Sequence, residues 1–358
     1  MGKGKAVNPA IEPQQNSKKH INRLKVIGIL MTVGGIGLFA YFIYAVGFYE
    51  IYDGVIRFGV VGFAVILLVY FFRICVRAYA WKLSVNEPYS LGVRDTIPAV
   101  LIGEALSSTI PLGIVISGTS KAVAVRKHIP LVGGLSSVAT ENLFYSLVTG
   151  IFLILGAVIL LSAFVINESL VATLAFLLAS VSILLVLGIL MVIRQWHFAS
   201  EACEWIYRRG HLQKVLENGR LDVRLFENLI YNFYRRHPRR FMPICLLEAA
   251  YHLLGIAEGW YILNRLTNAH PSLLTAFLLE SVSRFVTIVF KLIPFVIGVD
   301  EAGAQFIGRT VALGAGVGVT IAIIRKGRIL FWTAVGLILI IKRGISFSEF
   351  SRTTAAGE

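Results

Sequence analysis

Six runs of apolar residues divide this chain, near 26–48, 55–75, 136–163, 170–193, 243–263 and 272–291. Each has roughly the 20 residues that carry a helix across the hydrocarbon core of a bilayer. Lipid offers no water to unpaired backbone N–H and C=O groups, so such runs must satisfy those groups internally, as helices. A last span lies somewhere within 311–341. Composition agrees, since 56% of the 358 residues are hydrophobic, only 15% are charged, and the mean hydropathy is +0.76. A soluble domain of this length would expose too much of that surface. The expected fold is therefore all-α: a polytopic membrane protein with about seven or eight transmembrane helices.

Two further stretches, 110–126 (IPLGIVISGTSKAVAVR) and 293–309 (IPFVIGVDEAGAQFIGR), break the apolar pattern with Pro and Gly. A helix interrupted at membrane depth exposes backbone dipoles, which lipid tolerates only beside protein or a water-filled cavity. These are read as broken or re-entrant helical segments. Ile110 and Ile293, Pro111 and Pro294, Arg126 and Arg309, and Ala139 and Ala322 are all 183 positions apart, which points to an internal repeat. Interrupted helices at matching positions of two halves are the best sequence pointer to a transporter's binding site.

The formal net charge of +14 comes from 34 Lys and Arg against 20 Asp and Glu. The cations gather in the polar breaks between apolar runs, which fits anionic lipid headgroups and excludes nucleic acid as a partner. Basic positions are the tail, the Arg73, Arg77 and Lys82 cluster, the Lys121, Arg126 and Lys127 cluster, and the 194–240 loop. By the positive-inside rule the N-terminus is cytoplasmic in a multi-pass protein of the cell membrane. The organisation is then a basic tail at 1–25, a first membrane half at 26–193 with a broken segment at 97–126, and a basic loop at 194–242. A second half at 243–345 follows, with its broken segment at 293–309, and a tail at 346–358. The loop interleaves Arg with Trp205, Tyr207, Phe226 and Tyr234, and is either an amphipathic surface element or a solvated connector. Cys75, Cys203 and Cys245 have no metal-ligand spacing and are read as free thiols.

The segment 103–125, GEALSSTIPLGIVISGTSKAVAV, followed by ATENLFYSL at 139–147, resembles the first signature of the lysylphosphatidylglycerol synthase transmembrane, or flippase-like, family. The stretch 293–308, IPFVIGVDEAGAQFIG, is similar to its second, with Arg325 where the family places an intramembrane Arg. The resemblance implies an all-helical protein that binds or moves an anionic or aminoacylated phospholipid or another lipid-linked substrate. It implies no cofactor. Ser107 and Ser108 stand where the family often has Asn, Lys121 at its usual Arg, and Asn142 after Glu141 where Glu-Arg is common; substrate identity depends on those positions. With the sequence ending at Glu358, aminoacyl transfer by this polypeptide is not expected, so a separate transferase is a candidate partner. A homo-oligomer is a further candidate assembly.

The residues argue for a polar cavity without the family. Glu104, Glu141, Glu280, Arg284, Asp300, Glu301 and Arg325 fall in or beside apolar segments, where each ionisable group costs roughly 2.5–3.5 kcal/mol. They should face one another, water or a ligand. Glu280 and Arg284 can pair on one helix face. Asp300 and Glu301, between Gly298 and Gly303, either frame an anion site at a helix start or cap that helix and complement its dipole. Lys121 and Arg126 either hold a lipid phosphate or simply flank the membrane. Arg325, Lys326 and Arg328 are either intramembrane charges or a turn between two short helices. The candidate binding set is Glu104, Pro111, Gly113, Gly118, Lys121, Arg126, Glu141, Asn142, Arg284, Pro294, Gly298, Asp300, Glu301, Gly303 and Arg325.

Catalytic patterns are thin: no phosphate-binding Gly-rich loop with Lys, no HExxH and no GxSxG occurs. The best enzymatic alternative is a membrane glycosyltransferase using a polyprenyl-phosphate sugar, with Glu50 and Asp53 as its acid pair. A non-transporting membrane partner that docks a transferase through 194–242 is the third reading.

Overall fold

In a computed structural model, the described residues are 33–342 apart from 35, 110–112, 165–167, 210–212, 268–270, 291–292, 312 and 314. They form helices and no strand. The helices are α1 (Ile36–Val46), α2 (Phe48–Leu83), α3 (Val93–Thr109), α4 (Gly113–Ala124), α5 (Leu131–Ala163) and α6 (Glu168–Arg194). After them come α7 (Phe198–Arg208), α8 (Gln213–Arg236), α9 (Phe241–Leu266), α10 (Leu273–Val289), α11 (Val299–Thr310) and α12 (Ala315–Lys342).

Among the described residues, Phe48–Leu83, Leu131–Ala163, Leu174–Arg194 and Pro238–Leu266 are long and apolar enough to cross a membrane. α12 matches them in length, with 28 residues, but holds Arg325, Lys326 and Arg328 in mid-helix. The run expected to cross at 272–291 is instead α10, a 17-residue helix of about 25 Å that leads into a break. Both tails, and the part of the first apolar run before residue 33, lie outside the described residues.

The element lengths repeat. A 36-residue helix, then helices of 17 and 12 residues, then one of 33 residues make α2–α5; 26, 17, 12 and 28 residues make α9–α12. The short pairs fold back on themselves. Gly103 of α3 faces Ser117 and Lys121 of α4, and Ser283 of α10 bonds Asp300 of α11. The two units are inverted, because α2 and α9 run antiparallel: Phe58 meets Tyr261 edge to face, Arg73 meets Glu258, and Ala80 packs with Ile244. The inversion pairs α2 with α12 in parallel, through Gly54 beside Thr320 and Tyr70 beside Trp332. It pairs α5 with α9 in the same sense, through Phe144 on Phe241 and Thr149 on His252. Such inverted repeats place a binding site at their interface.

Local sequence explains the boundaries. α2 bends at Gly59, whose φ of 70° only glycine adopts without strain. Ser272 caps α10 by accepting the Thr275 N–H at 3.1 Å, with Pro271 just before it. Between α10 and α11, Pro294–Val296 form a single 3₁₀ turn, and Gly298 at φ 83° admits α11. α6 packs on α5 and turns Phe176, Ile183 and Ile193 outward, a face suited to lipid. α7 and α8 are amphipathic and pack on each other, and α8 rests on α5 through Phe233 and Tyr234 against Phe144.

Candidate functional site

Where the inverted units meet, a cavity of about 660 Å³ opens, walled by α2–α6, α9, α10, α12, the 3₁₀ turn and the first turn of α11. Its polar lining is cationic. Arg73, Arg77, Lys121, Arg284, Arg325 and Arg328 line it, against Glu104, Glu280 and Asp300. One carboxylate joins three of these cations: Glu280 lies 2.9 Å from Arg73, 3.0 Å from Arg284 and 3.2 Å from Arg325. Glu258 behind it pairs with Arg73 at 3.3 Å and with Arg328. Room for this network comes from two glycines of α9. A Cβ at Gly255 would collide with the Glu280 carboxylate, and one at Gly259 would lie 2.9 Å from Arg325.

Aromatic rings complete the cationic wall. The Arg73 guanidinium lies 4.3 Å from the Tyr251 ring, Arg77 4.3 Å from Tyr145, and Arg328 4.1 Å from Tyr70. The Tyr70 hydroxyl donates to Glu104 at 2.9 Å. The Nε atoms of Arg73, Arg284 and Arg328 have no hydrogen-bond partner among the described residues, so the guanidinium layer keeps donor capacity.

Of the candidate binding residues, Glu104, Gly118, Lys121, Asn142, Arg284, Asp300 and Arg325 line the cavity together. Glu141 is fully buried behind them, accepting from Arg77 Nε at 2.9 Å with Lys121 Nζ at 3.8 Å. Glu301 is also behind the lining. Its carboxylate accepts the Gly298 N–H at 2.7 Å, reaching back to the start of α11, and lies 2.7 Å from Lys326. The start of α11 thereby meets the protein's own carboxylate. Asp300 accepts from Ser283 at 2.8 Å and faces the cavity. Gly303 packs against Val282 and Val286 of α10. Pro294 opens the turn whose neighbours Ile293, Phe295 and Val296 line the cavity. Gly113 starts α4, Arg126 is exposed past the end of α4, and Pro111 lies outside the described residues.

One expectation changes, and one open alternative closes. Arg73 and Arg77 were read as cytoplasmic flanking cations, but Arg73 is 2% exposed and bound to two glutamates, and Arg77 is held by Glu141. The spacing of cations after an apolar run cannot show that α2 continues for 36 residues and carries them inward with carboxylate partners from α5, α9 and α10. Arg325, Lys326 and Arg328 form no turn: α12 runs unbroken through them, and all three are buried. Glu280 and Arg284 pair on one helix face, as their spacing indicated. Missed altogether were Tyr70, Tyr145 and Tyr251, which read as ordinary core aromatics, and Glu258. Glu50 and Asp53 of the glycosyltransferase alternative stand apart from the cavity lining, with Asp53 exposed beside Arg57 at 3.3 Å.

A second, smaller pocket adjoins the first. It is lined almost wholly by apolar side chains of α5, α6 and α10, and shares Leu153 and Val181 with the polar cavity. The charged chamber and an apolar pocket therefore share part of a wall.

No curated protein and no solved structure matches the chain. A family model described as the lysylphosphatidylglycerol synthase TM region matches residues 25–336, a stretch that takes in both short-helix pairs and the whole charged cavity. The chain belongs to the lysylphosphatidylglycerol synthase transmembrane-region family.

Proposed function

We propose that this protein binds the anionic headgroup of a phospholipid in the cavity between its inverted halves and carries the lipid across the bilayer. One observation carries the reading: six cations and three acids line a chamber inside a membrane helix bundle, and an apolar pocket shares Leu153 and Val181 with it. With Glu141 and Glu258 behind the lining, the six cations meet five acids, and the Nε groups of Arg73, Arg284 and Arg328, unpartnered among the described residues, leave donors for an anion. Arginine suits phosphate because its planar fork bonds two oxygens at once. The adjoining pocket offers an acyl chain a wall of Leu153, Leu178 and Phe285. Glu104 and Asp300 give the same chamber two carboxylates for an ammonium or hydroxyl group on the headgroup.

Inverted units rocking about α2 and α9 would open the chamber to either side in turn. Proteoliposomes containing labelled phosphatidylglycerol test this. Wild-type protein is expected to equilibrate the label between leaflets, and Arg284→Ala and Arg325→Ala are expected to slow it at least tenfold, the loss of about 1.4 kcal/mol of headgroup contact. Equal rates in wild type, both variants and protein-free vesicles would remove the proposal.

A further inference from the structure

Glu248 of α9 is fully buried, and neither of its carboxylate oxygens has a hydrogen-bond partner among the described residues. It is the exception in a charge network that otherwise pairs closely. The cations nearest it, Arg77 and Lys121, are both turned to Glu141. An ionised carboxylate cannot be kept in such a place without a partner, whereas the uncharged acid can. One turn further along α9, on the same face, stands His252, also buried, with Nδ1 unpartnered and Nε2 3.0 Å from the Thr149 hydroxyl. Thr149 lines the cavity.

These three groups form a line. Glu248 lies about 10 Å along α9 from its start, beside the end where α8 packs. His252 comes next, and Thr149 opens into the chamber. Phe152 stacks on the imidazole at 4.6 Å and Tyr145 lies near-parallel to it at 5.9 Å, and Nε2 meets the Thr149 hydroxyl. The charged and titratable groups around the line are Arg77 of α2, Lys121 of α4, Glu141 of α5, Tyr234 of α8 beside Cys245, and Cys245 on α9 itself. Around His252 they are Arg73, Arg77, Glu280 and Arg284.

We infer that Glu248 is a proton-binding site inside the membrane, joined through His252 and Thr149 to the cavity, and that it couples lipid movement to a proton gradient. The chemistry is transfer of one proton: when Arg77 or Lys121 turns from Glu141 to Glu248, Glu248 releases its proton by way of His252 and Thr149 to water in the cavity, and when they return it takes one from cavity water by the same route. An anionic headgroup arriving at Lys121 competes for the same cations, which links the two ligands. The coupling rests on the lipid-transport reading; the proton site does not.

Two measurements separate them. In nanodiscs, infrared spectra of the full chain should show a carboxylic-acid C=O band that is lost in Glu248→Gln and retained in His252→Gln. In proteoliposomes, a gradient of one pH unit should shift the leaflet ratio of labelled phosphatidylglycerol about tenfold for one proton per lipid. Glu248→Gln and His252→Gln should move lipid without that shift. Absence of a band removed by Glu248→Gln would overturn the proton site. Lipid movement that ignores the gradient in wild type would overturn the coupling. A Glu248-dependent band with no lipid movement in any protein would establish the site and overturn the transport reading.

Discussion

Glu280 illustrates how much a single side chain holds in this protein. Its two oxygens lie within 3.2 Å of Arg73, Arg284 and Arg325, which come from α2, α10 and α12. Removing one partner from a buried ion network leaves uncompensated charge, typically a loss of 3–5 kcal/mol, whereas the intact network is worth far less than its Coulomb energy suggests. Glu280→Gln is therefore expected to lower the thermal unfolding midpoint in detergent sharply, and added phosphatidylglycerol to recover part of the loss because its phosphate can replace the missing carboxylate. An unchanged midpoint would show that the arginines do not depend on Glu280. Glu301 makes a contrasting case. It closes the cap of α11 and pairs with Lys326 outside the lining, so Glu301→Gln should reduce stability by about 1–3 kcal/mol while leaving lipid binding to the folded protein unchanged. Weaker headgroup binding with full stability would reverse that assignment.

The helices fit each other through small residues, as expected where lipid supplies no hydrophobic drive for helices to associate. Gly156 of α5 faces Ser281 of α10, and Gly336 of α12 faces Leu101 and Ala105 of α3. These are equivalent crossings of the two inverted units. A Cβ at Gly336 would come within 2.6 Å of the Leu101 carbonyl, so Gly336→Val must push α12 from α3, at a cost of roughly 1–3 kcal/mol for overpacking. Gly156→Val should behave alike, and both should appear as lower unfolding midpoints; a neutral result at one of them would mean that its crossing is loose. The α7–α8 pair is a different kind of element. Trp205, Leu221 and Leu225 remain exposed beside Arg208 and Arg224, the pattern of a helix lying in a membrane interface. Spin labels replacing Trp205 and Leu221 should be more accessible to oxygen than to a water-soluble nickel chelate. The opposite order would make this pair a solvated connector.

At the scale of the whole molecule, helix content and membrane insertion were legible because they depend on run length and on Pro and Gly, which are local. The breaks at Pro294 and Gly298, and the cluster of Glu104, Lys121, Arg284, Asp300 and Arg325, could also be anticipated from the expense of charge in lipid. What could not be read was pairing across long separations. Arg73 reaches Glu258 because α9 lies antiparallel along α2, and Glu280 because α10 packs on α9, and nothing near Arg73 in sequence announces those acids. The same long-range arrangement gives the cavity two related walls, and it makes a demand that binding alone does not. If the units rock, Ser108 at the cavity edge must see each side of the membrane in turn. A single cysteine placed there, with Cys75, Cys203 and Cys245 replaced, should react with an impermeant maleimide applied to either face of proteoliposomes. Phosphatidylglycerol should protect it more than phosphatidylcholine, since the lining carries more cations than acids. Reaction from one face only, whatever the lipid, would leave a headgroup-binding protein and remove alternating access.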